Sequence, residues 1–508
     1  MILPEVFYYI RFFFNPTKSS TQFDPSKMKI LLSIFAFCLL SFQAMAQSTR
    51  PNIVVIVVDD MRFDEWSAGG HTYLKTPNID RLAAEGTTFD QAYHAIPLCS
   101  PNRASILTGQ YPSRHGIIDN TSRDQASFML DLFPKYLQQA GYTTAHIGKW
   151  HMGNSSAPRP GYDYWVCMEG QGSSYDPLLY EDGRSYRATG YTTDIFTDKA
   201  VEFIDRNASD NFFLYVGHKA IHPESFQRND GSTDLSVPKE FIPAERHKGL
   251  YEGKIFKRSP SHSPTAEADE DKPVIQNAFQ IRSTILQEDP RWGSSMDLGV
   301  SEASIQRRAE MMLAVDESLG KIVAELKKQG LYENTLIIFT SDNGYFFGEH
   351  GFSLERRLPY EESIKSPLII NYPVLGNKKA RVAGLVLSID LSATALDAAG
   401  LELPKTIQGK SLLPLITGQQ NEIRPSALVE YFSNEQPFPW TAHLDYRVII
   451  KDQFKYIKWL RFDKAELYDL NSDPYEMNNL IGNPVYAETI VLLKTELQKL
   501  QIEALGLV

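Results

Sequence analysis

The sequence predicts an α/β fold on a mostly parallel central sheet, with a smaller antiparallel sheet-and-helix subdomain at its C-terminal end. Three observations carry this prediction. Pro51–Asp60 reads PNIVVIVVDD, a β-branched run between turn residues, which is the pattern of a strand buried on both faces. TLIIFTSDNG repeats that pattern and ends in Asp342 and Asn343. Strands and helical segments alternate through about residue 400, as βαβ units do.

Residues 1–46 are expected to be a targeting segment outside the fold. Lys27 and Lys29 flank Met28, the apolar run ILLSIFAFCLLSF follows, and QAMA supplies a small-residue site with cleavage before Gln47. Residues 1–27 do not resemble the basic start of a signal peptide, which points to Met28 as the true start. The apolar run is short for a bilayer span, and no later run reaches spanning length.

The next elements follow in order. TPNIDRLAAEGTTF predicts a short helix stopped at Gly86. GYTTAHIGKWHMG predicts a strand running into Lys149 and His151, and NFFLYVGHKAIHPE a strand followed by a loop with His222. From about 224 to 300 the pattern dissolves into a polar, charge-rich insertion, the kind of long segment that is usually functional or mobile. A helix is expected over Glu302–Gln329, with Gly330 as its stop.

Past about residue 420, YRVIIKDQFKYIKWL and KAELYDL alternate apolar and polar residues, as half-exposed antiparallel strands do. SDPYEMNNLI predicts a turn, and YAETIVLLKTELQKLQ an amphipathic closing helix. The expected divisions are therefore 1–46 targeting segment, 47–415 main α/β domain, and 416–508 C-terminal subdomain.

Charge and cysteine content narrow the function. The chain has a net charge of −11, and without residues 1–46 it carries 47 basic against 60 acidic side chains. That balance argues against nucleic-acid binding. Cleavage leaves two cysteines, Cys99 and Cys167, too few for a disulfide scaffold, although one bridge stays open.

Asp59-Asp60 alone reads as a solvated strand end, and Asp342-Asn343 alone is equally weak. Together they are stronger, because each pair ends a very apolar strand and parallel strands bring their C-terminal ends to one edge. Four hard oxygen donors there suit Ca²⁺ or Mg²⁺. Between them lies PLCSPNRASILTG, where Cys99 is either a buried inert thiol or part of an anion site formed with Arg103 and a helix start. Lys149, His151 and His222 each follow a predicted strand. A lone histidine is usually structural, but this set adds fixed cations and acid–base groups to the metal, which fits a small tetrahedral oxyanion.

The segments IVVIVVDD, CSPNRASILTG, GKWHMG, HKAIHPE and TSDNGYFFGEHG resemble, in that order, the motifs of the type I, formylglycine-dependent sulfatases. The similarity covers about Pro51 to Gly400, and the tail ELYDLNSDPYEMNNL is also sulfatase-like. It implies an alkaline-phosphatase-like α/β sandwich. It further implies that a maturation enzyme oxidises Cys99 to Cα-formylglycine, and that Asp59, Asp60, Asp342 and Asn343, with residue 99, hold Ca²⁺, Mg²⁺ being the alternative.

By the same resemblance Arg103 steadies the aldehyde hydrate, Lys149 binds a sulfate oxygen, His222 protonates the leaving alcohol, and His151 deprotonates the second hydroxyl to expel sulfate. One departure stands out. SLERRLPYEES places Arg356 where the family usually has a lysine, and Arg357 is the alternative if the alignment slips by one. Arginine can clamp sulfate but is a poor proton donor.

The expected substrate is a sulfated carbohydrate, from a likeness to N-acetylglucosamine-6-sulfatases and bacterial polysaccharide sulfatases. Glu349 and His350 are candidate sugar contacts, with a loop salt bridge as the alternative. Tyr162, Tyr164, Trp165 and Tyr175 form either a sugar-stacking wall or packing beneath the insertion. The competing functions are a phosphodiesterase or phosphonate monoester hydrolase of the same superfamily, and an inactive glycan-binding relative. The expected location is periplasmic or secreted.

Overall fold

The computed structural model describes residues 50–224, 228, 230, 232, 234–236, 240–263, 271–289, 291–292, 301–352, 356–376, 380–434 and 439–507. The expected targeting segment lies outside these residues, as does part of the 224–300 insertion.

The apolar runs become strands at the places their sequence predicts. Ten strands form one sheet: β1 (Asn52–Val58), β2 (Thr87–Tyr93), β3 (Thr143–Lys149), β4 (Tyr164–Met168), β5 (Leu178–Glu181), β6 (Arg184–Arg187), β7 (Phe212–Gly217), β8 (Thr335–Ser341), β9 (Leu368–Asn371) and β10 (Arg381–Leu387). Their spatial order is β10-β2-β9-β8-β1-β7-β3-β4-β5-β6. Eight strands run one way, and only β5 and β9 oppose them. The four adjacent strands β8, β1, β7 and β3 are mutually parallel, so their C-terminal ends share one edge.

Every residue of β1 is buried, as its unbroken β-branched run requires. Val54, Ile56 and Val58 join one core, while Ile53, Val55 and Val57 join a second on the other face. The first core is closed by helices α1 (Pro77–Glu85), α3 (Thr192–Arg206) and α5 (Glu302–Lys328). The second is closed by α2 (Cys99–Thr108) and α6 (Asp390–Ala398). Two covered faces make the layered α/β sandwich expected of a mostly parallel sheet.

The described residues of the insertion include a helix that its composition does not predict. This helix, α4 (Pro273–Glu288), starts on a proline and buries Val274, Ile275 and Ala278. The polar residues around that one apolar stripe conceal the helical period. Beyond residue 420, β11 (Ser426–Tyr431), β12 (Tyr446–Lys451), β13 (Phe454–Trp459) and β14 (Lys464–Asp469) form a second sheet, antiparallel throughout. The run YRVIIKDQFKYIKWL is the β12–β13 hairpin, turned at Asp452 with φ +53°. The closing helix α7 (Ala487–Ala504) buries Leu493, Leu497 and Ala504. Residues of the second sheet, such as Leu428 and Val448, belong to the first core, which therefore runs continuously beneath it. Cys99 and Cys167 are both free thiols.

Candidate active site

The shared strand edge gathers most of the candidates. Asp59 and Asp60 follow β1, Asp342 and Asn343 follow β8, the segment His218–His222 follows β7, and Lys149 ends β3. Cys99 opens α2, and its side chain lies with those of Asp59, Asp60 and Asp342 in one fully buried group, with ligand atoms within 4.8 Å of one another.

Two glycines let these loops approach so closely. Gly148 and Gly217 face each other across β3 and β7, and a Cβ on Gly148 would lie 2.0 Å from the Gly217 carbonyl. A Cβ on Gly217 would lie 2.7 Å from Arg103 NH1. The space they leave is filled by the Arg103 guanidinium. It donates from Nε to Asp342 Oδ2 (2.8 Å), from NH1 to the Lys149 carbonyl (2.9 Å) and from NH2 to the His218 carbonyl (3.4 Å). Arg103 thus ties the ends of β8, β3 and β7 together from α2.

The carboxylates are held by a fixed set of donors. Lys149 Nζ pairs with Asp59 Oδ2 and lies 2.5 Å from Gln171 Oε1. Asn343 Nδ2 donates to Asp60 Oδ1 (2.7 Å), and the Asp60 amide donates to Asp342 Oδ1 (3.1 Å). Asp60 has a left-handed backbone at φ +61°, an uncommon state for a non-glycine residue. Its carbonyl is held by Arg308 NH2 at 2.7 Å. The Cys99 thiol points at Asp60 Oδ1, 4.0 Å away.

Burial and charge set the proton states. Burial pushes the Asp59 carboxyl up, but Lys149, His222 and Arg103 outweigh it and hold Asp59 well below the usual carboxylate range. Burial, with Asp59 beside it, raises Asp342 to about 7. Burial also raises Asp60, against Arg356, and burial together with Asp59 pushes the Cys99 thiol well up.

His222 is oriented by its neighbours. Its Nδ1 lies 2.8 Å from the Pro223 carbonyl, so that nitrogen carries the proton and Nε2 is the acceptor in the neutral ring. Arg356 NH2 lies 3.2 Å from Nε2, and Arg356 NH1 donates to Asp60 Oδ2 at 3.2 Å. Burial, with Lys149 and Arg356, holds His222 well below the ordinary histidine value. His151 is also buried, with φ +68°, and burial and Lys149 likewise lower it.

The residues fit a hard divalent cation. Asp59 Oδ1 and Asn343 Oδ1 are buried and hydrogen-bond to nothing among the described residues. Two orphaned oxygens beside two further carboxylates form the donor set of Ca²⁺ or Mg²⁺.

Glu349 and His350 occupy different surroundings. Both Glu349 oxygens are taken, Oε1 by Arg62 NH1 (2.9 Å) and Oε2 by the Phe347 amide, which matches the loop salt bridge. His350 stacks on Tyr360 with ring centroids 4.1 Å apart. Tyr162 and Trp165 pack around His146, and Tyr164 stacks on Phe203. Tyr175 meets Tyr191, and its hydroxyl accepts from the Glu245 amide of the insertion. These contacts match packing, not a sugar-stacking wall.

Three contributors were given no role from sequence, Gln171, Arg308 and Lys219, and a fourth, Asn102, was expected only as part of the polar setting of Cys99. Gln171 and Arg308 carry no pattern that marks them, whereas Asn102 and Lys219 stand inside segments singled out for other residues. Asn102 Nδ2 donates to the Asp342 carbonyl (2.7 Å), and Lys219 Nζ faces the His222 and Pro223 carbonyls.

Known proteins resemble the chain in sequence and in fold. The sulfatase family matches residues 51–401, and the C-terminal region of N-sulphoglucosamine sulphohydrolases matches residues 348–503. The chain is 32% identical to an N-acetylglucosamine-6-O-sulfatase of Bacteroides thetaiotaomicron, over 92% of this chain and 88% of that one. It is 29% identical to the human N-acetylglucosamine-6-sulfatase, over 79% of this chain and 71% of that one. A solved structure in complex with its substrate, D-glucosamine-2-N,6-O-disulfate, superposes with a TM-score of 0.72 at 31% identity, covering 90% of this chain and 98% of that one. With the family match spanning most of the chain and the strand-edge cluster at its centre, the chain belongs to the sulfatase family, the sulfuric ester hydrolases of alkaline-phosphatase-like fold.

Proposed function

We propose that this chain is an exported carbohydrate sulfatase that hydrolyses sulfate monoesters of an amino-sugar-containing glycan. The observation that carries the proposal is the buried convergence of Cys99 with Asp59, Asp60 and Asp342, framed by Arg103, Lys149, His222 and Arg356. The names of the relatives favour 6-O-sulfated N-acetylglucosamine units as the first substrates to test.

In this proposal a maturation enzyme converts Cys99 to Cα-formylglycine. The aldehyde hydrate presents one hydroxyl, which gives up its proton to a neighbouring carboxylate of the cluster as its oxygen attacks sulfur, and a second that stays in reserve. Asp59, Asp60, Asp342 and Asn343 would hold the divalent cation, Ca²⁺ before Mg²⁺, which when bound supplies positive charge against the sulfate and the attacking oxygen.

The chain's own groups do the rest. Lys149 and Arg356 bind sulfate oxygens, and Arg103 fixes the helix that carries residue 99. With the anionic sulfate bound beside it, His222 takes up a second proton on Nε2, and as the sulfur–oxygen bond to the sugar breaks it delivers that proton to the leaving alcohol, with Nδ1 still bound to the Pro223 carbonyl. His151 then takes the proton of the reserve hydroxyl, the carbon–oxygen bond to sulfate breaks, and the aldehyde returns. This route explains why an aldehyde is used: a serine sulfate would need water to attack it, whereas the hemiacetal collapses internally.

The test is sulfate release from a panel of defined sulfated saccharides, with Cys99→Ala as the control. Release from a 6-O-sulfated amino sugar that the variant lacks supports the proposal. Equal release by the variant rejects Cys99 as the nucleophile's source. Cleavage of phosphonate or phosphate esters without sulfate release would favour the competing superfamily activities.

A further inference from the structure

We infer that Lys219 is a positioning residue for His222, clamping the loop so that the imidazole Nε2 faces the leaving group. This rests on the reading of His222 as the acid of a sulfatase. Lys219 lies in the segment HKAIHPE, and only 2% of its side chain is exposed, so each of its three N–H groups needs an acceptor inside the protein. Three are present: the His222 carbonyl at 3.4 Å, the Pro223 carbonyl at 3.3 Å and Glu224 Oε2 at 3.4 Å. With its donors so engaged, Lys219 is not a sulfate ligand.

The Pro223 carbonyl is the decisive atom. It receives both Lys219 Nζ and His222 Nδ1–H, so the ammonium holds the very group that sets the ring's tautomer and direction. The other end of the clamp is equally fixed. Glu224 Oε2 accepts from the Ser174 amide (2.8 Å) and hydroxyl (2.7 Å). Ser174 belongs to the same loop as Gln171, whose Oε1 touches Lys149 Nζ. Lys219 and Glu224 therefore join the loop of the acid to the loop beside a sulfate-binding lysine. On the sheet side, the loop is fastened to β1 by the Asp59 amide on the Ala220 carbonyl (2.9 Å) and the Ile221 amide on the Asp59 carbonyl (2.8 Å).

A positioning role predicts a selective defect. Lys219→Met should lower kcat on an unactivated sugar sulfate by about tenfold to a hundredfold, the scale of a catalytic group displaced by an ångström. KM for the sugar and turnover of an activated aryl sulfate, whose leaving group needs no proton, should stay nearly unchanged. Lys219→Arg should restore most of the loss. On a His222→Ala background, Lys219→Met should add little on the sugar sulfate, because both act through one proton. Glu224→Gln, a milder change that keeps the shape, should give the same selective loss at smaller size, and it decides the matter if Lys219→Met fails to fold. Equal losses on both substrates, or a Lys219 effect fully additive with His222→Ala, would overturn the inference. A wild-type enzyme that desulfates neither substrate would instead overturn the sulfatase reading on which it rests.

Discussion

Replacing Glu349 by alanine separates a structural role from a sugar contact, and the structure sets the size of the effect. Glu349 and Arg62 are both buried, with Oε1 and NH1 2.9 Å apart. At an effective dielectric near 20 that separation corresponds to a gross attraction of about 6 kcal/mol. Breaking one side of a buried pair costs about 3–5 kcal/mol, because the remaining charge loses its partner. Arg62 keeps Asp64 and the Tyr345 carbonyl, and Glu362 stands ready beside it. Glu362 is raised to about 8 by burial and by Glu349, so removing Glu349 lets it ionise as a replacement counter-charge. The expected cost therefore lies at the low end, about 3 kcal/mol. An unfolding entropy of about 2 cal/mol/K per residue over a chain of this length gives a Tm fall of roughly 3 °C. Thermal melts and steady-state kinetics on a sulfated saccharide should show that fall with KM unchanged. A tenfold rise in KM without any loss of Tm would refute the reasoning and return Glu349 to the sugar site.

Other expectations follow from the same geometry. Exhaustive chelation should abolish turnover and Ca²⁺ should restore it, with Asp59→Asn needing far more metal. Full activity in protein shown by elemental analysis to be metal-free would contradict the assigned donor set. His222→Ala should lose about 10²–10⁴-fold on sugar sulfates and far less on an activated aryl sulfate, and an equal loss on both would make His222 a binding group. Glu362 and Glu476 are raised by burial to about 8 and about 7, so the stability they contribute is complete below the unfolded carboxylate value and is lost as pH rises through 7 to 8. Urea melts of Glu362→Gln should show a weaker decline over that window, and an unchanged slope would contradict the shifted carboxyl.

What the sequence revealed, and what it hid, divides along physical lines. β1 and β8 were legible because a strand buried on both faces needs an apolar, β-branched run, and Asp59-Asp60 and Asp342-Asn343 follow those runs as polar pairs. Parallel pairing then brings Asp59, Asp60, Asp342 and Asn343 together with no further information. Helix α4 was hidden because a single buried stripe in a polar insertion barely alters the composition. Arg308 and Gln171 were hidden for another reason. Their partners, the Asp60 carbonyl and Lys149 Nζ, lie 248 and 22 positions away, and one long-range contact leaves no periodic trace. Lys219 was visible but unassigned, since only the fold shows that its ammonium turns back onto the carbonyls of the loop that follows it.

The chemistry of residue 99 is the centre of the account. The most direct measurement is mass spectrometry of the Cys99 peptide from protein produced together with a sulfatase-maturation enzyme, set against the specific activity of the same preparation. Formylglycine chemistry at residue 99 predicts the aldehyde mass, capture by a hydrazide probe, and activity in proportion to the converted fraction. An intact thiol in fully active enzyme would contradict it.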